Sequence, residues 1–223
     1  MKITAVILAK DEEASIEEVV RGALEKADRV IVVDGHSRDN TRNLAKKAGA
    51  EVISDGGKGK GDGYRKGISA VAPDDVIVFL DADGSHDPSD IPLLAKPIIK
   101  GEAEMVIASR WKGGSDDIDA SFSSFVRNIG GNVVSVLIAW RYRVQITDAL
   151  NGYRAIMARL AKELDIKSND FDVEQEMVVK AIKKGWRIVE VPSHEHARKG
   201  GKSKLPTYSK FHIFLWRLFI DMF

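Results

Sequence analysis

The chain contains 223 residues, of which 44% are hydrophobic and 30% are charged, and its formal net charge is +1. A chain of this length can bury one sizeable core, and the near-neutral charge argues against a nucleic-acid-binding protein, which usually carries a basic excess. Cysteine is absent, which excludes disulfides, thiolate metal sites and thiol nucleophiles.

The amino terminus carries a continuous apolar run, Ile3–Leu8, followed by the charged residues 10–13. The run is too short, and its flank too acidic, for a signal peptide. We therefore predict a strand that is buried on both faces of a sheet. No stretch of the chain reaches the roughly 20 apolar residues that a membrane-spanning helix requires.

Strand and helix signals alternate through the first half of the chain. Ser15 and Glu18 form a capping-box pair ahead of apolar residues at helical spacing. Further strands are predicted at Val30–Val33, Glu51–Ile53, Val76–Leu80 and Glu104–Ala108, with helices over 41–48 and from Tyr64 to Val71. This alternation predicts an α/β fold with a mostly parallel sheet that is covered by helices on both faces.

The second half is less regular. Helical character over Phe122–Trp140 is interrupted by two glycines, and a second helix is predicted over Val173–Lys183. Strands are predicted at Tyr153–Met157 and Arg187–Val191. Because no internal repeat or low-complexity linker is found, we predict a single domain.

Carboxylates follow three of the predicted strands. Asp11 follows the first strand, Asp34 the second, and the triplet Asp81-Ala82-Asp83 the fourth. In an open parallel sheet, ligands bind beyond the carboxyl ends of the strands, so these groups should converge. Two carboxylates on one turn can bind Mg²⁺ or Mn²⁺, with diphosphate oxygens completing the coordination. An isolated Asp-x-Asp more often begins a turn or caps a helix, but here the neighbouring acidic strand ends favour a metal site.

Two glycine-rich basic segments could bind phosphate. In the first, residues 56–65, glycines allow close backbone approach, and Lys60 and Arg65 could pair with a diphosphate. The segment lacks the Gly-Lys-Ser/Thr ending of a nucleotide-triphosphate loop. In the second, residues 198–204, Arg198 and Lys204 could bind an acceptor phosphate together with Arg110 and Arg127 upstream. A solvated loop is the alternative for either segment.

The chain ends in an apolar, aromatic segment over residues 206–223, next to several lysines. This pattern is typical of an amphipathic helix on a bilayer surface, and packing on its own domain or on a second copy is the alternative. His194 and His196 alternate along an extended segment, but the spacing of the histidines does not predict a zinc site.

In chain order, these motifs resemble glycosyltransferase family 2, which has the GT-A fold, and within it the polyprenyl-phosphate branch that includes dolichol-phosphate mannose synthase. Residues 34–41 are similar to the Asp-Asp-Gly-Ser-x-Asp-x-Thr turn of the family, with Gly35 in place of the second aspartate. Asp81-Ala82-Asp83 matches the metal-binding triplet, although Ser85 stands where the branch has a glutamine. Residues 148–154 resemble the Asp-x-x-x-Gly-Phe-Arg signature, and residues 198–204 match Arg-x-x-Gly-x-Ser-Lys.

The resemblance implies an inverting transfer of a hexose from a GDP- or UDP-linked sugar to a polyprenyl or dolichyl phosphate, assisted by Mg²⁺ or Mn²⁺. The alternative is a hydroxyl-bearing acceptor, which needs a carboxylate base. Carried over to this chain, the roles are Asp83 and Asp148 as catalytic residues, Asp81 and Asp83 as metal ligands, Asp11, Asp34, Lys60, Arg65 and Asp81 at the nucleotide-sugar, and Arg110, Arg127, Arg198, Ser203 and Lys204 at the acceptor phosphate.

By the same resemblance, residues 1–205 form the GT-A catalytic domain, with a nucleotide-sugar half over about 1–110 and an acceptor half over about 111–205. The protein is expected to be cytoplasmic and peripheral on a membrane surface. A sugar-1-phosphate nucleotidyltransferase would need a glycine-rich loop directly after the first strand, and residues 9–12 do not supply one. A catalytically inactive binding module would lack part of the set of carboxylates that follows the strands. This chain keeps nearly all of that set.

Overall fold

The computed structural model describes residues 1–116 and 133–200, together with residues 214, 216, 217, 219 and 220. The strands are β1 (Ile3–Ala9), β2 (Arg29–Asp34), β3 (Glu51–Ser54), β4 (Val76–Asp81), β5 (Met105–Ser109), β6 (Arg154–Met157) and β7 (Ile188–Pro192). The helices are α1 (Ile16–Leu24), α2 (Thr41–Ala48), α3 (Lys60–Ser69), α4 (Ile91–Ile99), α5 (Arg110–Gly113), α6 (133–142), α7 (Ala158–Glu163) and α8 (Val173–Lys183). Helices α4, α5 and α7 were not predicted.

Over the described residues, the strands form one sheet in the order β3-β2-β1-β4-β6-β5-β7. β1 runs parallel to both β2 and β4, and β2 runs parallel to β3. β6 is antiparallel to its two neighbours, β4 and β5, and β7 is parallel to β5. The prediction of an α/β fold with a mostly parallel sheet is confirmed.

Successive residues of the central strands face two separate cores. Along β1, Ala5 and Ile7 belong to the core beneath α1 and α4, while Val6 belongs to the core beneath α3 and α8. The same alternation along β4 divides Val78 from Phe79. Because both faces of the sheet are covered, these strands read as continuous apolar runs.

The predicted capping box at Ser15 and Glu18 is not formed. Ser15 precedes α1, but no side-chain hydrogen bond caps the helix. Its hydroxyl instead donates to the carbonyl oxygen of Ala82 at 2.7 Å. Ala82 is buried in the turn after β4, so its carbonyl oxygen needs a donor from within the protein. Ser15 thus ties the start of α1 to the turn that carries Asp81 and Asp83.

The described residues of the carboxyl-terminal segment are helical, and they pack partly on the domain itself. Phe214 is buried in the second core, and the Arg217 Nε lies 2.7 Å from the Asp172 carboxylate at the start of α8. Trp216 and Phe219 are 64% and 56% exposed. Among the described residues, no helix has the length and apolar character needed to cross a membrane.

The glycine-rich start of α3 packs against the backbone of residues 168–169. The Gly61 amide donates to the carbonyl oxygen of Asn169 at 3.2 Å. A Cβ atom on Gly61 would lie 2.0 Å from the carbonyl oxygen of Ser168. Glycine is required here because two backbones approach too closely for any side chain.

Replacing Gly61 with alanine should lower the free energy of unfolding by more than about 2 kcal/mol, because the backbone must move apart. Without that clash, alanine in a helix would stabilise the protein relative to glycine. Gly35→Ala is the matched control, since an added Cβ there would lie 3.5 Å from its nearest neighbouring atoms. Denaturant unfolding measures both variants, and equal losses of stability would contradict this account of α3.

Candidate active site

The carboxyl ends of β1, β2 and β4 bring acidic residues from three parts of the chain to one edge of the sheet. In the parallel register, Ala9 of β1 lies beside Asp34 of β2, and Leu8 lies beside Asp81 of β4. Asp11 and Asp83 follow within two residues of these positions. The structure thus brings together the acidic strand ends that the sequence analysis singled out.

Asp11 and Asp34 both form hydrogen bonds with the turn that follows β2. The Asp34 carboxylate is fully buried, accepts a hydrogen bond from the Ser37 amide at 3.3 Å and lies 3.4 Å from the Arg42 guanidinium. Asp11 has a positive φ of 50° and accepts a hydrogen bond from the Arg38 amide at 2.7 Å. The Ser37 hydroxyl accepts from the Asp11 amide at 2.9 Å, so this one turn fixes both acidic residues.

Lys60 lies between the partly exposed carboxylate of Asp81 and the buried carboxylate of Glu174. Its ammonium nitrogen is 3.1 Å from Asp81 Oδ1 and 2.9 Å from Glu174 Oε1. Burial lowers the pKa of Lys60, but the negative charges of Asp81 and Glu174 outweigh it and hold that pKa well above its usual range. The Tyr64 hydroxyl donates to the same Glu174 oxygen at 3.1 Å. The structure therefore directs Lys60 toward Asp81 at the triplet.

Glu174 was missed by the sequence analysis. It lies in the first turn of α8, where Gln175 and Glu176 are also buried. Three consecutive buried polar residues in a helix are unusual, because polar groups are buried only when they have partners. The run Glu174-Gln175-Glu176 within an otherwise helical pattern was the available signal, but the partners of Glu174, which are Lys60 and Tyr64, lie far away in the sequence.

Asp83 is held by Arg198 and Ser85. Its Oδ2 lies 2.6 Å from the Arg198 guanidinium, and its Oδ1 accepts from the Ser85 hydroxyl at 2.6 Å and from the Ser85 amide at 2.9 Å. The backbone amide of Lys199 donates to the Asp83 carbonyl oxygen at 3.1 Å. Arg198 therefore lies in the cleft beside the triplet, and Ser85 supports the Asp83 carboxylate.

The donor set of Asp81 and Asp83 fits a hard divalent cation. Both residues offer carboxylate oxygens, and Mg²⁺ typically takes one or two carboxylates plus substrate phosphates. Among the described residues, no third histidine or carboxylate forms a close ligand group with this pair. A bound ion would therefore depend on phosphate oxygens, and it would compete with Arg198 for Asp83.

Asp148 and Arg110 form a two-pronged ion pair. The Arg110 Nε and Nη2 donate to the two Asp148 oxygens at 2.8 and 2.7 Å, and Glu195 lies 3.5 Å from Nη1. Burial lowers the pKa of Arg110, but its hydrogen bonds to Asp148 and the charges of Asp148 and Glu195 outweigh it, so the pKa lies above its usual value. Both oxygens of the 2%-exposed Asp148 side chain are thereby engaged.

The remaining predicted residues are placed differently or are not described. Arg65 donates to the Ser168 carbonyl oxygen and to the Asn169 side chain, and it pairs with Asp62 at 3.3 Å, so it braces α3 within the protein. The predicted acceptor residues Arg127, Ser203 and Lys204 lie outside the described residues.

Comparison with known proteins identifies the family. Residues 4–161 match the model of Glycosyl transferase family 2. The chain belongs to this family. The fold is the GT-A fold, as the sequence analysis predicted.

Several curated relatives are about equally distant from the chain. It is 29% identical to glycosyltransferase AglJ of Haloferax volcanii over 77% of its residues and spans 55% of the length of that protein. It is also 29% identical to the UDP-N-acetylglucosamine–dolichyl-phosphate N-acetylglucosaminyltransferase of Methanococcus voltae, covering 85% of this chain and 84% of that protein. The undecaprenyl-phosphate mannosyltransferase of Micrococcus luteus is again 29% identical, with 92% and 88% covered.

Solved structures share the fold at greater sequence distance. The glucosyl-3-phosphoglycerate synthase of Mycobacterium tuberculosis, crystallised with Mn²⁺, uridine diphosphate and glucosyl-3-phosphoglycerate, superimposes with a TM-score of 0.78. The two chains are 22% identical, and the match covers 99% of this chain and 79% of the other.

Replacing Arg198 with alanine should tighten Mn²⁺ binding about fivefold or more, because it removes a cation that competes for Asp83. Two charges about 4 Å apart interact by roughly 1 to 4 kcal/mol between water and a protein surface. Electron paramagnetic resonance of the free ion measures the affinity. Lys199→Ala is the matched control, since Lys199 pairs with the 70%-exposed Glu18 side chain and should leave the affinity within about twofold. Equal affinities in the two variants would contradict the competition.

Proposed function

We propose that the chain transfers a hexose from a GDP- or UDP-linked sugar to a polyprenyl phosphate, with Mg²⁺ or Mn²⁺ at Asp81 and Asp83. The observation that carries the acceptor class is the Arg110–Asp148 pair. A hydroxyl acceptor needs a base, and Asp148, the carboxylate proposed for that role, has both oxygens bound by Arg110. A phosphate monoester has a second pKa near 6 and is largely ionised at neutral pH, so it needs no base.

In the proposed reaction, an oxygen of the acceptor phosphate attacks the anomeric carbon of the donor sugar. The bond from that carbon to the diphosphate oxygen breaks, the nucleoside diphosphate leaves with the electron pair, and the configuration inverts. A divalent ion at Asp81 and Asp83 would offset the charge that develops on the leaving group. Lys60 would hold Asp81 in place, and Asp11 and Asp34 would hold the nucleotide end of the donor.

We propose that a metal ion would replace Arg198 at the Asp83 carboxylate. The released guanidinium would then bind the acceptor phosphate. The Arg198 guanidinium lies 2.6 Å from Asp83 and 3.9 Å from Glu12, next to the proposed metal ligand. Arginine can bind phosphate through two parallel hydrogen bonds. Ser203, Lys204 and Arg127 are proposed to complete the acceptor site.

The membrane surface is proposed as the source of the acceptor. Two relatives have names that include a dolichyl or undecaprenyl phosphate. Trp140 of α6 and Trp216 of the carboxyl-terminal segment are 72% and 64% exposed, and aromatic side chains suit the interface of a bilayer. Arg141 and Arg143 closely follow Trp140 in the sequence, and their positive charges suit attraction to anionic lipid headgroups.

The acceptor assay incubates the chain with radiolabelled UDP- and GDP-sugars, Mg²⁺ or Mn²⁺, and a polyprenyl phosphate or the unphosphorylated polyprenol. We expect label in the organic phase only with the phosphate. Asp83→Asn should reduce transfer at least about a hundredfold, because the metal supplies several kcal/mol of charge stabilisation. Asp74→Asn, at a carboxylate 87% exposed, is the matched control and should keep full activity. Equal labelling of the unphosphorylated polyprenol would support the alternative of a hydroxyl acceptor.

The pH profile separates a phosphate acceptor from a base-catalysed hydroxyl acceptor. We expect kcat/KM to rise with pH through about pH 6, following the second ionisation of the acceptor phosphate. Asp148→Asn should lower kcat/KM, because Arg110 loses its charge partner. The rising limb of the pH profile should nevertheless stay at the same pH. A phosphonate analogue with a higher second pKa should move the limb upward. Loss of the limb in Asp148→Asn would show that Asp148 is the base.

A further inference from the structure

A second group of metal-binding side chains lies outside the Asp81–Asp83 pair. Asp116 follows α5, while His194 and His196 follow β7. The His194 Nε2 is 2.8 Å from Asp116 Oδ1, and the His196 Nδ1 is 3.6 Å from Asp116 Oδ2. One ligand atom from each residue lies within 4.8 Å of the other two. In a tetrahedral zinc site, bonds of roughly 2.0 Å place neighbouring ligand atoms about 3.3 Å apart, between these two distances.

The backbone holds these three residues in register. Glu195 forms bridges with Ser115 on one side and His86 on the other. The Asp116 amide donates to the Glu195 carbonyl oxygen at 2.7 Å, and the Glu195 amide donates to the Gly114 carbonyl oxygen at 3.0 Å. Because side chains alternate along an extended segment, the residues on either side of Glu195 share one face. Their rings accordingly lie 5.0 Å apart.

The surroundings of His194 orient it as a ligand. Its Nδ1 lies 3.2 Å from the Gly113 carbonyl oxygen, which is a hydrogen-bond acceptor and therefore calls for a proton on Nδ1. Nε2 then faces the Asp116 carboxylate. In metal-binding histidines, the ring nitrogen that does not bind the metal almost always donates its N–H to such an acceptor. The lone pair of Nε2 and the carboxylate would repel each other at 2.8 Å. Either a second proton or a metal ion must therefore lie between them.

We propose that Asp116, His194 and His196 bind a divalent transition metal of the zinc class, separate from the ion at Asp81 and Asp83. Two imidazoles and one carboxylate favour zinc, whereas a site of oxygen ligands alone favours magnesium or manganese. The bound ion leaves one position for water. It joins the segment after α5 to the segment after β7, and Glu195 between the two histidines contacts Arg110.

The test uses the whole chain after chelation and dialysis, with Co²⁺ absorption and Zn²⁺ calorimetry as readouts. We expect one tetrahedral Co²⁺ spectrum that Zn²⁺ abolishes. His194→Gln and His196→Gln should each weaken Zn²⁺ binding by at least about tenfold, because losing even a hydrogen-bond partner of a metal ligand typically costs that much. His36→Gln is the matched control at another exposed histidine and should bind normally. Zn²⁺ should also raise the Tm of the natural chain and of His36→Gln, and should not raise it in the other two variants.

Asp83→Asn separates the two metal sites. We expect this variant to keep full Zn²⁺ binding, because Asp83 lies in the other group. Loss of Zn²⁺ binding in Asp83→Asn would show that the histidines serve the ion at the triplet, and the separate site would be overturned. Equal Zn²⁺ affinity in the natural chain and in both histidine variants would overturn it as well, leaving an imidazolium–carboxylate pair.

Discussion

The site depends on cations that separate carboxylates gathered at one sheet edge. Like charges brought this close disfavour their own ionisation, so each buried carboxylate needs a partner. Lys60 from α3 lies between Asp81 and Glu174, and Arg198 from the segment after β7 pairs with Asp83. These partners come from distant parts of the chain, so the cleft forms only when those parts have folded together. In the proposed function, an incoming ion or phosphate would exchange partners with these charges of the protein.

A buried arginine connects the loop that follows Asp148 to this arrangement. Arg154 is fully buried, and its guanidinium donates to the carbonyl oxygens of Ala149, Asn151 and Glu174. It thereby fixes the loop that begins at Asp148 against the first turn of α8. Burying a charge is costly unless its hydrogen bonds are satisfied, and here several backbone carbonyls satisfy them. One side chain thus links the backbone at Glu174 to the loop that follows Asp148.

The arrangement of Arg110 and Asp148 is the structural basis of the proposed acceptor class. A carboxylate whose two oxygens are bound by arginine is poorly placed to remove a proton, whereas the same ion pair can shape a pocket for a phosphate. The exposed aromatic residues of α6 and of the carboxyl-terminal segment lie on elements that otherwise pack into the second core. Such exposed aromatic surfaces suit the proposed uptake of an acceptor from a bilayer.

The sequence alone determined the α/β class, the position of most strands and the acidic strand ends, because apolar runs and helical spacing are local signals. Parallel neighbours then place those ends at one edge of the sheet. Partners remote in sequence were decided by the tertiary structure. Glu174 beside Lys60, Arg110 locked on Asp148, and Ser15 bound to Ala82 in place of a capping box all depend on packing. The spacing of the histidines predicted no zinc site. Asp116 approaches His194 and His196 only because the segments after α5 and β7 lie side by side.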